Sequence, residues 1–287
     1  LIIKQNSEVS VNADGIRITG GTIGVKNAGA LNFTGGTVNE NVTGFEGEYG
    51  ETIFEEGANV TNNSRVTQST ITVKGNVYNR STFASDNIEI AEGGQLTTNA
   101  GQLQSLSRST TTVKNNGVLI FTGGNNNNAI EGSGELQAGI GSGTILNYNS
   151  ISQSTVTIAD GMDFTNVEGS TITTKKIQGS SLKNNGLFVM NNMEEGDYEL
   201  TSLTGRIGVS SMTVVEGNNV TIDMSNRTIE QGTIYTYGDG TLTLAGGSGG
   251  SINANIVNYM TGNCLDIATT INGTLDNNPD SAVTEGV

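Results

Sequence analysis

Histidine and tryptophan are absent from the 287 residues, and cysteine and proline occur once each. Without histidine there is no Ser-His-Asp triad, no Cys-His pair and no histidine-ligated zinc or haem. The single thiol, Cys264, forms no intramolecular disulfide and supplies no thiolate zinc or iron–sulfur site. In "TGNCLDIATT" it reads as a small buried apolar residue. Positive charge is scarce: 13 Lys and Arg face 28 Asp and Glu, a net charge of −15. That balance excludes nucleic acid, whose binding rests on cations meeting phosphates, and it disfavours anionic membranes. No apolar run approaches about 18 residues, so no membrane insertion by a helix of this chain is expected. The chain opens on "LIIKQNSEVSV", strand-like from the start and without an initiator Met or signal-peptide pattern. A processed protein, or a piece of a longer one, is therefore expected.

What is present is glycine, serine, threonine and asparagine around short alternating strands. The 41 Gly resemble a linker composition, but 34% of residues are hydrophobic and they alternate with polar ones. Two phrases recur. One is glycine-flanked: "KNAGALNFTGG" at 26–36, "KNNGVLIFTGG" at 114–124, "KNNGLFVM" at 183–190 and "YGDGTLTLAGG" at 237–247. The other leads from Ser-Thr into a strand: "QSTITVKGN" at 68–76, "RSTTTVKNNG" at 108–117 and "QSTVTIADG" at 153–161. "GIRITGGTI" at 15–23 and "ALNFTGGTV" at 30–38 repeat at shorter range. Recurrence at roughly 20 residues or its double is the signature of a solenoid.

One such strand cannot bury its apolar side alone, whereas stacked copies form a parallel sheet with a shared core. In "VTIADG", Val156 and Ile158 share one side; in "TLTLAGG", Leu242 and Leu244 do. Glycine and asparagine are expected at left-handed corners, and the near-absence of proline suits interior strands. The expected fold is all-β: a right-handed parallel β-helix of about a dozen irregular coils, forming one domain over residues 1–287. β-Sandwich domains are the rival, since "NNG" at 115–117 and 184–186 also suits hairpins. Two acidic stretches break the pattern. Residues 40–59, with Glu40, Glu46, Glu48, Glu51, Glu55 and Glu56, are expected to protrude or to cover one side. Residues 191–200 form a smaller break.

Carboxylates are the remaining chemistry. Glu194, Glu195, Asp197 and Glu199, or the glutamates of 46–56, are the candidates for acid/base cleavage of a polysaccharide. Clefts for sugars hold stacking Trp or Tyr, and here Trp is absent and the seven Tyr are dispersed. These stretches therefore read as solvated loops. Glu194 and Glu195 stay as the alternative catalytic pair, with no catalytic, cofactor or metal residue assigned otherwise. Asp-Gly turns at 14–15, 160–161 and 239–240 extend into no calcium-loop pattern, so only incidental Ca²⁺ contact is expected. "TIT" at 70–72 and 171–173 and "TVT" at 155–157 raise ice binding, but their spacing is irregular.

"AIEGSGELQAG" at 129–139 and "GDGTLTLAGG" at 238–247 resemble the repeats of bacterial autotransporter passengers and related surface adhesins. The chain departs from the G-G-A-[ILV] repeats of one branch, having "GGTI" and "GGTV", and it has no N-P-N-G motif. The resemblance implies an extracellular or bacterial cell-surface location and a non-enzymatic structural or adhesive role, as stalk, adhesin or filament subunit. It implies end-to-end self-association and a host glycan or protein receptor as partners. A phage tail-type or secreted polysaccharide-degrading β-helix is the competing expectation, and an ice-binding solenoid the minor one.

Overall fold

The computed structural model describes residues 1–15, 24–107, 110–139, 143–216, 219–246, 248–260, 264–267 and 269–277. Most of the "GIRITGGTI" repeat and the Cys264 side chain lie outside the described part. The described residues contain no α-helix; Ala13–Gly15 and Ala100–Gln102 are single 3-10 turns. The chain divides into two compact units, Leu1–Ile140 and Gly141–Val287. Each is a parallel β-solenoid, and together they make about 12 turns.

In the first unit each coil contributes to three ladders. The first stacks Glu8 on Ala30, then Glu51, Thr70, Asn87, Thr112 and Ala129. The second stacks Asn59, Asn76, Gln95, Val118 and Glu135. The third stacks Val25, Val42, Val66, Phe83 and Leu103. Coil length changes because corners absorb insertions. The step from Thr70 to Asn87 is 17 residues and that from Asn87 to Thr112 is 25. Much of the longer one passes through the 3-10 turn and a bend at 105–107 anchored on Asp86. The Ser105 hydroxyl, with the Ser107 and Leu106 backbone amides, holds the Asp86 carboxyl below its usual pKa.

In the second unit the first ladder stacks Ser150, Thr171, Leu187, Ser211, Thr233 and Asn255. A second runs through Val220, Leu242 and Leu265, and a third through Ser181, Ser202, Thr228 and Ser251. Pairing is parallel throughout the described strands; the antiparallel contact, between Phe45 and Glu48, is an isolated bridge in a turn. That excludes the sandwich for these residues. At "NNG" 115–117 the chain leaves Thr112–Asn115 on one ladder and enters Val118–Phe121 on the next, so it turns a corner instead of closing a hairpin. Of residues 40–59, Val42–Thr43 and Glu51–Phe54 lie in the ladders, and the Phe45–Glu48 turn is the excursion.

Inward positions follow the alternation. Val156, Ile158, Leu242 and Leu244 are buried, as are Leu119 and Phe121, and Ile120 is covered as well. Asparagine has two roles. Among the described residues, three of the four positive-φ residues other than glycine are asparagines, Asn6, Asn192 and Asn226, as expected of corners, and the fourth is Glu46. The asparagine of each "KN-x-G" phrase instead points into the core and donates to a carbonyl of a later coil. Asn27 reaches Glu51 O at 2.8 Å, Asn115 reaches Glu135 O at 2.9 Å and Asn184 reaches Ser211 O at 3.0 Å. These amides also chain together: Asn147 Nδ2 to Asn166 Oδ1 and Asn166 Nδ2 to Asn184 Oδ1 are both 2.8 Å. Buried Gln68 and Gln231 accept from Asn27 and Asn184 respectively. Buried amides are tolerated because they are bonded.

The "FTGG" ending has its own reason. Gly36 and Gly124 both sit at φ +92°, and a Cβ on either would run into an asparagine of the preceding coil, Asn12 or Asn99. Each of those asparagines opens a 3-10 turn: Asn12 accepts from Asp14 N and Asn99 from Gly101 N, both at 3.0 Å. The phrase is a cradle for the turn below it.

Candidate functional site

The carboxylates singled out in the sequence lie at a corner of the second unit, between Leu187–Met193 and Tyr198–Thr204. Gly196, at φ +81°, makes the turn, and Asp197 Oδ2 accepts from Glu194 N at 2.7 Å. Glu194 pairs with Lys175 of the preceding coil at 2.7 Å, and this carboxylate raises the Lys175 pKa. Glu195 Oε2 accepts from Thr221 N of the following coil at 2.8 Å. Glu199 is exposed beside Gln178. Glu194 and Glu195 are thus drawn to opposite neighbours, one coil down and one coil up. Behind them Tyr198 is buried; its hydroxyl has no hydrogen-bond partner among the described residues, and burial pushes its pKa up.

The Asp-Gly turns are separated. Asp14 Oδ1 accepts from Thr37 N at 2.8 Å, while Asp160 and Asp239 are exposed in other coils. Among the described residues no group of three or more His, Cys, Asp or Glu side chains is placed to hold a metal ion. The threonine pairs do not line up either. Thr171 and Thr173 lie on the outward side, but the next rung carries Leu187 and Val189 at those places.

The feature missed in the sequence is aromatic. Tyr237 and Tyr259 stack at 5.0 Å with ring planes 6° apart, and Tyr235 stacks on Tyr259 at 6.5 Å and 22°. They look dispersed in sequence because the coil length, and not adjacency, brings them together. Tyr237 is exposed, and Tyr235 and Tyr259 are half-buried. Partial burial, with the Tyr259 and Tyr235 rings beside it, raises the Tyr237 pKa.

These rings belong to a larger surface, the outward side of the first ladder. One column reads Ser150, Thr171, Leu187, Ser211, Thr233 and Asn255; the next reads Ser152, Thr173, Val189, Thr213, Tyr235 and Val257. A third contains Asn191, Val215 and Tyr237. The rungs just named carry no charge, but the next rung sets Asp276 beside Val257, and Lys175 stands two residues beyond Thr173 on the same strand. The other two ladders of the unit do carry charge outward, with Asp223 on the second and Asp163, Lys183 and Glu230 on the third. In the first unit, the outward side of the first ladder holds Glu8, Glu51, Glu89, Lys114 and Glu131. No family profile matches this chain, and no curated protein or solved structure matches it either.

Proposed function

We propose that the chain is a non-enzymatic, surface-displayed solenoid with a structural and adhesive role, of the kind its repeats resemble. The observation that carries this reading is the way its reactive side chains are used. Glu194, Glu195 and Asp197 each hold a different element at the coil corner, and inward amides tie coil to coil. Acid/base cleavage of a glycosidic bond needs two carboxyl groups flanking one bond. Partners on opposite sides draw this pair apart. The broad feature left over is a sparsely charged sheet surface suited to contact. An extracellular or cell-surface location is part of the same proposal.

A panel of soluble and insoluble polysaccharides incubated with the full chain tests it. No rise in reducing ends is expected, and the Glu194→Gln/Glu195→Gln double variant should give the same blank. Release of reducing ends by the wild-type chain that the double variant abolishes would overturn the proposal in favour of a glycan-cleaving enzyme.

A further inference from the structure

We propose that the outward side of the first ladder in the second unit is a docking surface for a neutral, hydroxyl-rich polysaccharide, anchored by Tyr235, Tyr237 and Tyr259. The proposal rests on the adhesive reading above and names its partner.

Charge selects the partner first. On a chain of net charge −15, the fifteen side chains named in these columns include no ionisable acid or base other than tyrosine; Asp276 follows Val257 at the next rung, and Lys175, two residues beyond Thr173, is paired with Glu194. A polyanion arriving there meets repulsion from the acidic surroundings and finds one cation nearby, Lys175, already paired with Glu194. A basic protein finds a single carboxylate, Asp276 beside Val257, to pair with. An uncharged partner loses nothing by the scarcity of charge.

Hydrogen bonding selects next. Thr171, Thr173, Thr213, Thr233, Ser211 and Asn255 present hydroxyls or an amide on the surface, interleaved with Leu187, Val189, Val215 and Val257. Covered by a dry apolar protein face, those polar groups would be left unpaired, which is costly. A sugar polymer offers hydroxyls for the polar groups and C–H faces for the aliphatic ones. A second copy of this chain would also bring two bodies of charge −15 together.

The tyrosines supply the anchors. An aromatic ring with a hydroxyl at its tip suits a surface that is both apolar and wet. Tyr237 and Tyr259 already hold each other at 5.0 Å and 6°, so binding has little rotamer freedom to remove. Rungs repeat at about 4.8 Å, so an extended polymer lying along a column meets an equivalent row at every coil. Tyr78 of the first unit is exposed too, but Arg80 lies 4.8 Å over its ring and puts a cation on that spot.

The test mixes the full chain with microcrystalline cellulose, with chitin powder and with insoluble β-1,3-glucan, pellets the polymer and measures the unbound fraction. Calcium alginate beads serve as the polyanionic control. Retention on at least one neutral polymer is expected, unaltered at about 1 M NaCl, where contacts between charges are screened, and absent on alginate. The Tyr237→Ser/Tyr259→Ser double variant should lose at least about tenfold in affinity while its circular dichroism and urea midpoint stay those of the wild type. No retention on any of the three neutral polymers overturns the proposal, and so does retention that the double variant leaves intact. A concentration-dependent dimer dispersed by the same substitutions also overturns it, since the occupant would then be a second copy. Failure of the two readings is separable. Reducing ends released from a retained polymer would sink the non-enzymatic reading and leave the surface in place; loss of retention without cleavage does the reverse.

Discussion

Each unit stacks aromatic rings, and the two do so on opposite sides of the sheet. In the first unit Phe33, Phe54 and Phe83 stack inside at 5.5 and 5.6 Å, all fully buried. In the second, Tyr235, Tyr237 and Tyr259 stack outside at 6.5 and 5.0 Å. Phe33 and Phe54 are ladder partners one coil apart, whereas Phe54 and Phe83 meet from different ladders. What differs is what the stack can do. Inside, rings remove apolar area from water and fix the coils together. Outside, they contribute little to folding and remain available to a partner. Charge differs as well: the first unit carries Glu8, Glu51, Glu89 and Glu131 outward on its first ladder, where the second carries Lys175 and Asp276.

Three measurements sharpen the contrast, in falling order of size. Phe54→Ala should cost about 3–5 kcal/mol by urea unfolding, the range for truncating a buried phenylalanine, whereas Tyr237→Ala should stay within about 1 kcal/mol as an exposed position. Equal losses would erase the distinction between the stacks. Asn184→Ala comes next. It removes a buried amide that donates to Gly186 O, Ser211 O and Gln231 Oε1, and should cost about 2–3 kcal/mol through stranded acceptors. A neutral result would show that the amide ladder is filling and not fastening. The smallest effect is alkaline. Tyr237 has a raised pKa in the folded state, so its contribution is complete below the unfolded value of about 10 and is lost as pH rises through the folded one. The urea midpoint should be flat from about pH 7 to 9 and fall above about 10, with a shallower fall in Tyr237→Phe.

The sequence made the solenoid legible and its alternation correct. Val156 with Ile158 and Leu242 with Leu244 face inward as expected. Asparagine was read for its corner role, which Asn6, Asn192 and Asn226 fill, and not for its inward one. A polar residue next to glycine suggests a turn, and only knowing which coil lies above Asn27, Asn115 or Asn184 shows the carbonyl each one reaches. That partner is 20 to 27 residues away, beyond any local pattern. The tyrosine stack was hidden for the same reason. Tyr237 and Tyr259 differ by one irregular coil, and an uneven repeat conceals alignment until the register is known. The carboxylates were found by composition, but their opposed partners Lys175 and Thr221 come from neighbouring coils.

The most direct measurement places one negative charge on each unit and follows retention on the neutral polymer that the wild type binds best. Thr213→Glu sets a carboxylate between Val189 and Tyr235 of the second unit, and Thr112→Glu sets one at an exposed position of the first. Both should fold with the wild-type urea midpoint to within about 0.5 kcal/mol. Thr213→Glu should abolish retention while Thr112→Glu leaves it unchanged. Equal retention by the two variants would contradict the assignment of this sparsely charged face as the place where the protein meets its partner.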